Sequence, residues 1–238
     1  MRRTSRVLAG GMCGMLIALC VLIAYLLGSI PTAYLVGRWL RGIDIRQYGT
    51  GNVGGSNVWH SVARWAVVPV GLFDIGKAAL PAWLALGPLR LGYPVAVAAG
   101  LCAAVGHAWS LYLGFTGGRA MSCVLGTLAV VFPWGALIQL LVMGVGFALH
   151  VESLTTLGLL ALPLLSLAFG RPPAVTWGSV AMIVLTAVKR VEANRAPLPS
   201  GAERWRVVWR RLWLDRDVPS HEEWVARRPL DTVKRGMR

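Results

Sequence analysis

Seven apolar stretches divide this chain: 7 to 28 running on past Pro31 to Val36, then 62 to 86, 93 to 113, 121 to 132, 134 to 150, 154 to 169 and 174 to 188. Set against the ~20 residues with which a helix crosses a hydrocarbon core, the pattern predicts an all-α polytopic membrane protein of about seven transmembrane helices. The stretch 121 to 132 is short for a crossing. Between the first two stretches lies Gly49-Thr-Gly-Asn-Val-Gly-Gly-Ser-Asn57, with four glycines in nine residues. Glycine admits conformations closed to other residues, so successive N–H groups of this loop are able to converge on an oxyanion. Polar backbone persists at membrane depth only under protein or a wet cavity. The loop therefore predicts an anion site as well as a turn.

Composition strengthens the membrane reading, with 56% hydrophobic and 14% charged residues over 238 positions and a mean hydropathy of +0.61, outside the soluble norm. The net charge of +14 is unevenly spread: of 24 Lys and Arg, thirteen fall between Lys189 and Arg238. Basic residues beside a last span set topology and attract acidic headgroups. A cytoplasmic C-terminus that meets anionic membrane lipid is expected, and without a base-reading module nucleic acid is not a partner. Arg38, Arg41 and Arg46 put the first loop on the same side, and the six later spans agree in parity. The N-terminus then lies outside, against the local bias of Arg2, Arg3 and Arg6. The first apolar run passes Leu27 without a cleavage site, so it is a retained span and not a signal peptide. Cys13, Cys20, Cys102 and Cys123 lack CxxC spacing and read as small buried hydrophobes, so no metal and no cofactor is expected.

The division expected is a membrane domain, 1–195, and a basic tail, 196–238. After a linker of Pro197, Pro199, Ser200 and Gly201, the stretch Glu203 to Leu214 spaces Trp205, Val208, Trp209, Leu212 and Trp213 as one helical face, with Arg204, Arg206, Arg210 and Arg211 around it. Such a helix suits the headgroup layer. From Asp215 onward the tail reads as polar and loosely ordered.

Within the apolar stretches a few groups stand out. Asp74 and Lys77 are three apart, on one helical face, and a charge at mid-bilayer costs about 2.5 to 3.5 kcal/mol. They should face each other or a wet cavity. His107 follows Gly106 near a span end, and Gly117-Gly118-Arg119 offers a second bend with a guanidinium. His60 and Arg64 lie just past the glycine loop, whereas His150 and His221 have no supporting context. Gly49, Gly51 and Gly54 also satisfy GxGxxG, but no strand precedes them, which excludes a dinucleotide fold.

In unbroken order from Tyr25 to Gly126, these residues resemble the PlsY family of integral membrane acyl-phosphate:glycerol-3-phosphate acyltransferases. Tyr25-Leu-Leu-Gly-Ser-Ile-Pro31 resembles its first-helix signature, and Asp44-Ile-Arg46 with the loop Gly49 to Asn57 resembles its phosphate loop. Asp74-Ile-Gly-Lys77 resembles its DxxK element, and Gly106-His107 through Phe115-Thr-Gly-Gly118 its GH…F.GG block. Lys189 to Arg195 is similar to a basic segment after the family's last span. Thr50 stands where the family has Ser, His60 where it has Arg, Gly117-Gly118-Arg119-Ala120 where it has GGKG, and Cys123 where it has Thr. Lys to Arg changes reach. Gly to Ala closes off left-handed backbone.

The resemblance implies transfer of an acyl group from acyl phosphate to glycerol 3-phosphate, in phospholipid synthesis at the cell inner membrane. Lys77, His107, Asn52 and Asp74 would carry catalysis. Ser29, Arg46, Gly49, Thr50, Gly51, Gly54, Ser56, Asn57, His60, Gly117, Gly118 and Arg119 would bind substrate. Acyl phosphate is already activated, so positioning and charge stabilisation suffice without a side-chain nucleophile. An inactive paralogue that binds lipid phosphates and a small anion transporter are the competing readings.

Overall fold

The computed structural model describes residues 2–149, 151–192 and 197–226, giving only the helical course of 2–11 and Glu152. His150, the 193–195 end of the segment after the last span, and the tail past 226 lie outside the described residues. The helices are α1 (Arg2–Ser29), α2 (Thr32–Arg41), α3 (Gly55–Ser61), α4 (Val67–Leu86), α5 (Gly92–Ala108), α6 (Met121–Val131), α7 (Pro133–Ala148), α8 (Glu152–Ala168), α9 (Pro173–Glu192), α10 (Glu203–Leu214) and α11 (His221–Val225). Among the described residues no strand forms, and a lone antiparallel bridge pairs Ser110 with Thr116.

Each apolar stretch expected from the sequence holds a helix among the described residues. Met12–Arg41, Val67–Leu86 and Pro173–Glu192 are long and apolar enough to cross a membrane, and α5 to α8 are shorter apolar helices. Large hydrophobics such as Leu72, Phe73, Leu140, Leu164 and Trp177 point outward. A helix bundle in lipid has no solvent to hide them from, so association relies on close packing of small residues. Helix α5 supplies that face, burying Ala96, Ala99, Gly100, Ala103, Ala104 and Gly106 where α1, α4 and α6 come against it. At Gly106 an added methyl would overlap the Tyr25 carbonyl, and at Gly126 that of Ile75.

Pro31 breaks the first apolar run. With no N–H and a fixed φ, it ends α1 at Ser29 and restarts the chain as α2. The carbonyls freed at the break need donors, and two distant side chains supply them. Lys77 Nζ donates to Ile30 O at 2.9 Å, and Ser110 Oγ to Ser29 O at 2.5 Å. Residues 42–66 then fold back across this end of the bundle, where α5 ends and α6 begins.

The tail departs from expectation. Helix α10 forms as read, but buries Val207 and Arg211 against α8 and α9, leaving Trp205 67% and Trp209 59% exposed. Within the described residues 216–226 the tail is not loose: it forms α11, whose Trp224 is buried and which packs on α3. Tryptophan and valine there provide apolar area that the charged composition of the tail masks.

Candidate active site

Asp74 sits on α4, 1% exposed. Its Oδ1 receives Lys77 Nζ at 2.9 Å and Thr32 Oγ1 at 3.0 Å, and lies 3.7 Å from His107 Nδ1. Lys77 is ten residues into α4, about 15 Å from its start at 1.5 Å per residue. A lone charge there would be expensive, and the pair neutralises itself with the Ile30 carbonyl as a further acceptor. The expected juxtaposition is present, and Thr32 and the Ile30 carbonyl complete it. Neither was singled out in the sequence, although Pro31 was the signal that a carbonyl would be freed beside Thr32.

The glycine loop is not stranded in solvent: Gly49, Thr50, Gly51, Asn52, Val53 and Gly54 are all buried. Gly49 and Gly51 adopt φ of +51° and +71°, the left-handed region that side chains disfavour. Asn57 staples the loop shut. Its Nδ2 faces the carbonyls of Ile45 at 2.9 Å, Tyr48 at 3.0 Å and Asn52 at 3.1 Å, while Oδ1 accepts from Thr50 N and Ser61 Oγ. Two amide hydrogens are thus shared among three acceptors, so Asn57 shapes the loop and has no donor left for substrate. Thr50 Oγ1 accepts from Asn52 N at 3.2 Å.

Arg46 anchors the loop from the side. Its guanidinium grips Asp44 at 2.7 Å and donates through Nη1 to Thr116 Oγ1 at 3.2 Å, tying the loop to the second bend. The hydrogen bond from Arg46 holds the Asp44 carboxyl below the usual carboxylate range and pushes the guanidinium up in turn. Arg46 is therefore a neutralised anchor here. Ser56 and His60 are exposed on α3; the His60 ring lies 5.8 Å from that of His221. Arg64 stacks over Trp59.

The second bend meets the loop at His107. Gly118 N donates to His107 O at 2.9 Å, and a methyl on Gly118 would collide with His107 Nε2 and with the Val53 carbonyl of the loop. One on Gly117 would overlap the carbonyls of His107 and Ala108. Ala120 caps α6 at φ 60° and ψ 10°. Replacing glycine by alanine thus did not abolish the left-handed turn: the chain keeps it with a strained alanine. Cys123 Sγ donates to Asp74 O at 3.3 Å, standing where a hydroxyl would also reach. Arg119 is buried and gives Nε to Asp215 Oδ1 at 2.6 Å, a partner from the tail that sequence reading missed.

Three polar atoms around this cluster are buried with no hydrogen-bond partner among the described residues: Ser29 Oγ, Asn52 Oδ1 and Arg119 Nη1. Ser29 Oγ lies against Gly106, next to His107. Leaving such groups unpaired costs about 1 to 3 kcal/mol each, which a polar ligand would recover. Lysine, guanidinium, histidine and loop amides together suit a phosphate-bearing ligand. Among the described residues no group of His, Cys, Asp and Glu is arranged to hold a metal.

Comparison with known proteins bears on this geometry. The family model described as Glycerol-3-phosphate acyltransferase matches residues 18–197. "Glycerol-3-phosphate acyltransferase 4" of Dehalococcoides mccartyi (strain CBDB1) is 38% identical over 210 residues, covering 85% of this chain and 90% of that protein. The Glycerol-3-phosphate acyltransferase of Synechococcus sp. (strain CC9902) is 39% identical over 187 residues, covering 78% and 92%. Among solved structures, the crystal structure of PlsY (YgiH), an integral membrane glycerol 3-phosphate acyltransferase in its glycerol 3-phosphate form, superposes with a TM-score of 0.68 at 29% identity, covering 74% of this chain and 88% of the other.

Proposed function

Because the chain belongs to the glycerol-3-phosphate acyltransferase family and is a multi-pass membrane protein, we propose that it acylates glycerol 3-phosphate from acyl phosphate. The products are 1-acyl-glycerol 3-phosphate, which is lysophosphatidic acid, and inorganic phosphate. The reaction takes place at the cytoplasmic face of the cell membrane, with residues 1–195 as the catalytic domain and the C-terminal tail cytoplasmic. The observation that carries the reading is the convergence of the buried loop with Asp74, Lys77, His107 and the Gly117–Arg119 bend. The two PlsY crystal forms, described as the glycerol 3-phosphate and lysophosphatidic acid forms, support the acceptor and the product.

In this mechanism the acceptor hydroxyl oxygen attacks the acyl carbonyl carbon, the carbonyl–phosphate C–O bond breaks, and the hydroxyl proton leaves with the phosphate. The loop amides of Val53 and Gly54 and the Asn52 side chain hold one phosphate group. Arg119 and Ser29 reach the other. Lys77 is fixed by Asp74 and supplies positive charge near the developing oxyanion, and His107, oriented by Asp74, donates toward the same region. Asn57, Arg46 and Asp44 hold the loop in shape and touch no substrate. Catalysis of this kind rests on orientation, worth about 7 to 11 kcal/mol in favourable cases.

Purified protein in nanodiscs, given acyl phosphate and labelled glycerol 3-phosphate, should release phosphate in equal amount with acylated product. Anion movement across liposomes with no new ester would indicate a transporter. Tight glycerol 3-phosphate binding with neither outcome would indicate an inactive paralogue.

A further inference from the structure

The family match ends at residue 197, yet the chain beyond it returns to the candidate site at three points. Asp215, the C-cap of α10, adopts a left-handed conformation with φ 52° and ψ 26°. From there its Oδ1 reaches Arg119 Nε at 2.6 Å and lies 3.8 Å from Arg190 Nε. Arg190 itself holds α10 down, donating to the Leu212 carbonyl at 2.7 Å. Farther along, α11 sets His221 against His60 and brings the Val225 carbonyl next to Gly49, 3.5 Å from where a methyl would sit.

We propose that residues 203–226 form a strap over the site, in which the Asp215 carboxylate occupies Arg119 in place of a substrate phosphate. The inference rests on reading Arg119 as the group that holds the phosphate of glycerol 3-phosphate in the anion site. Charge and geometry give the competition its direction. Asp215 brings one negative charge and satisfies only Nε, leaving Arg119 Nη1 buried and unpartnered. A phosphate group at neutral pH brings nearly two charges and three acceptor oxygens, against the single charge and two oxygens of the carboxylate. The strap is thus a weaker ligand than the substrate, made effective by being tethered. Substrate entry displaces Asp215, and the strap recloses when the site empties.

The test uses purified full-length protein in nanodiscs. Glycerol 3-phosphate binding is measured by calorimetry for the wild type and for Asp215→Asn, which keeps side-chain size and removes the charge. If the strap is closed about nine-tenths of the time, removing the competitor tightens the apparent Kd by about tenfold. In parallel, trypsin cleavage after Arg204 and Arg206 is followed in the wild type with and without glycerol 3-phosphate, a measurement that needs no variant. Ligand is expected to accelerate cleavage there, the reverse of ordinary ligand protection. Equal or weaker binding by Asp215→Asn, or slower cleavage with ligand, overturns the strap alone. If neither protein binds glycerol 3-phosphate, the reading of the site fails, and the strap with it.

Discussion

Replacing Lys77 by Met strands the Asp74 carboxylate in the interior of the bundle. In the structure Lys77 Nζ makes two contacts of 2.9 Å, to Asp74 Oδ1 and to Ile30 O, and both side chains of the pair are 2% exposed. Removing one partner of a buried pair costs about 3 to 5 kcal/mol. Inserting a lone charge at mid-membrane costs about 2.5 to 3.5 kcal/mol, so two independent routes give similar figures. Thr32 Oγ1, at 3.0 Å from Asp74, softens the loss without cancelling a charge. We therefore expect Lys77→Met to lose about 3 kcal/mol, read from reversible unfolding in mixed micelles. The double variant Asp74→Leu/Lys77→Met leaves no charge behind and should recover most of that loss while remaining inactive in phosphate release. A loss under about 1 kcal/mol, as for exposed pairs, would refute burial of the pair. Turnover by the double variant would refute its part in the chemistry.

Ala120→Gly relieves a left-handed alanine and should stabilise the protein by about 1 kcal/mol, seen in the same unfolding assay. Asn57→Ala opens the staple and should destabilise by about 2 kcal/mol, whereas Asn52→Ala should leave unfolding nearly unchanged and raise KM for a substrate. Gly118→Ala pushes against His107 and the Val53 carbonyl, so acyl transfer should fall by at least about a hundredfold in a protein that still inserts. Asp44 has a folded-state pKa below its ordinary 3.8 because of Arg46. Its contribution to stability is therefore present above that value and disappears as pH falls through the lower folded one. Asp44→Asn should flatten the acid limb of a stability–pH curve and leave the neutral region, less a constant offset, alike in shape.

Much of the fold was legible because its signals are one-dimensional. Run length and polarity located all seven apolar helices, and Pro31 marked the break between α1 and α2. The pairing of Asp74 with Lys77 followed from helical spacing and the cost of burying charge. What spacing does not reveal is which partner a polar group takes. Asn57 is read from the sequence as a substrate contact, whereas in the fold its amide staples the loop, because acceptors at Ile45, Tyr48 and Asn52 are brought round it only by the folded loop. Arg46 stands among the substrate-binding residues that the resemblance implies, though Asp44, two residues earlier, was a visible hint of its partner in the fold. Asp215 lies 96 residues from Arg119, and nothing in a basic tail marks it as the acid that reaches this bend. The order of residues 216–226 was hidden for the same reason, since Trp224 is buried and α11 packs on a distant α3. Ala120 shows a different limit: propensity gave the cost of left-handed backbone correctly, but the packing of Gly117 and Gly118 on His107 fixes the turn regardless.

The claim on which the account depends is that the buried loop and the cluster of Lys77, His107 and Arg119 form one phosphate-binding site. An experimental structure with glycerol 3-phosphate bound tests it most directly. The phosphate should lie within hydrogen-bond distance of the Val53 and Gly54 amides and the Asn52 side chain or of Arg119, with the glycerol hydroxyl directed toward Lys77 and His107. A phosphate bound elsewhere, with Arg119 Nη1 still unpartnered, would contradict it.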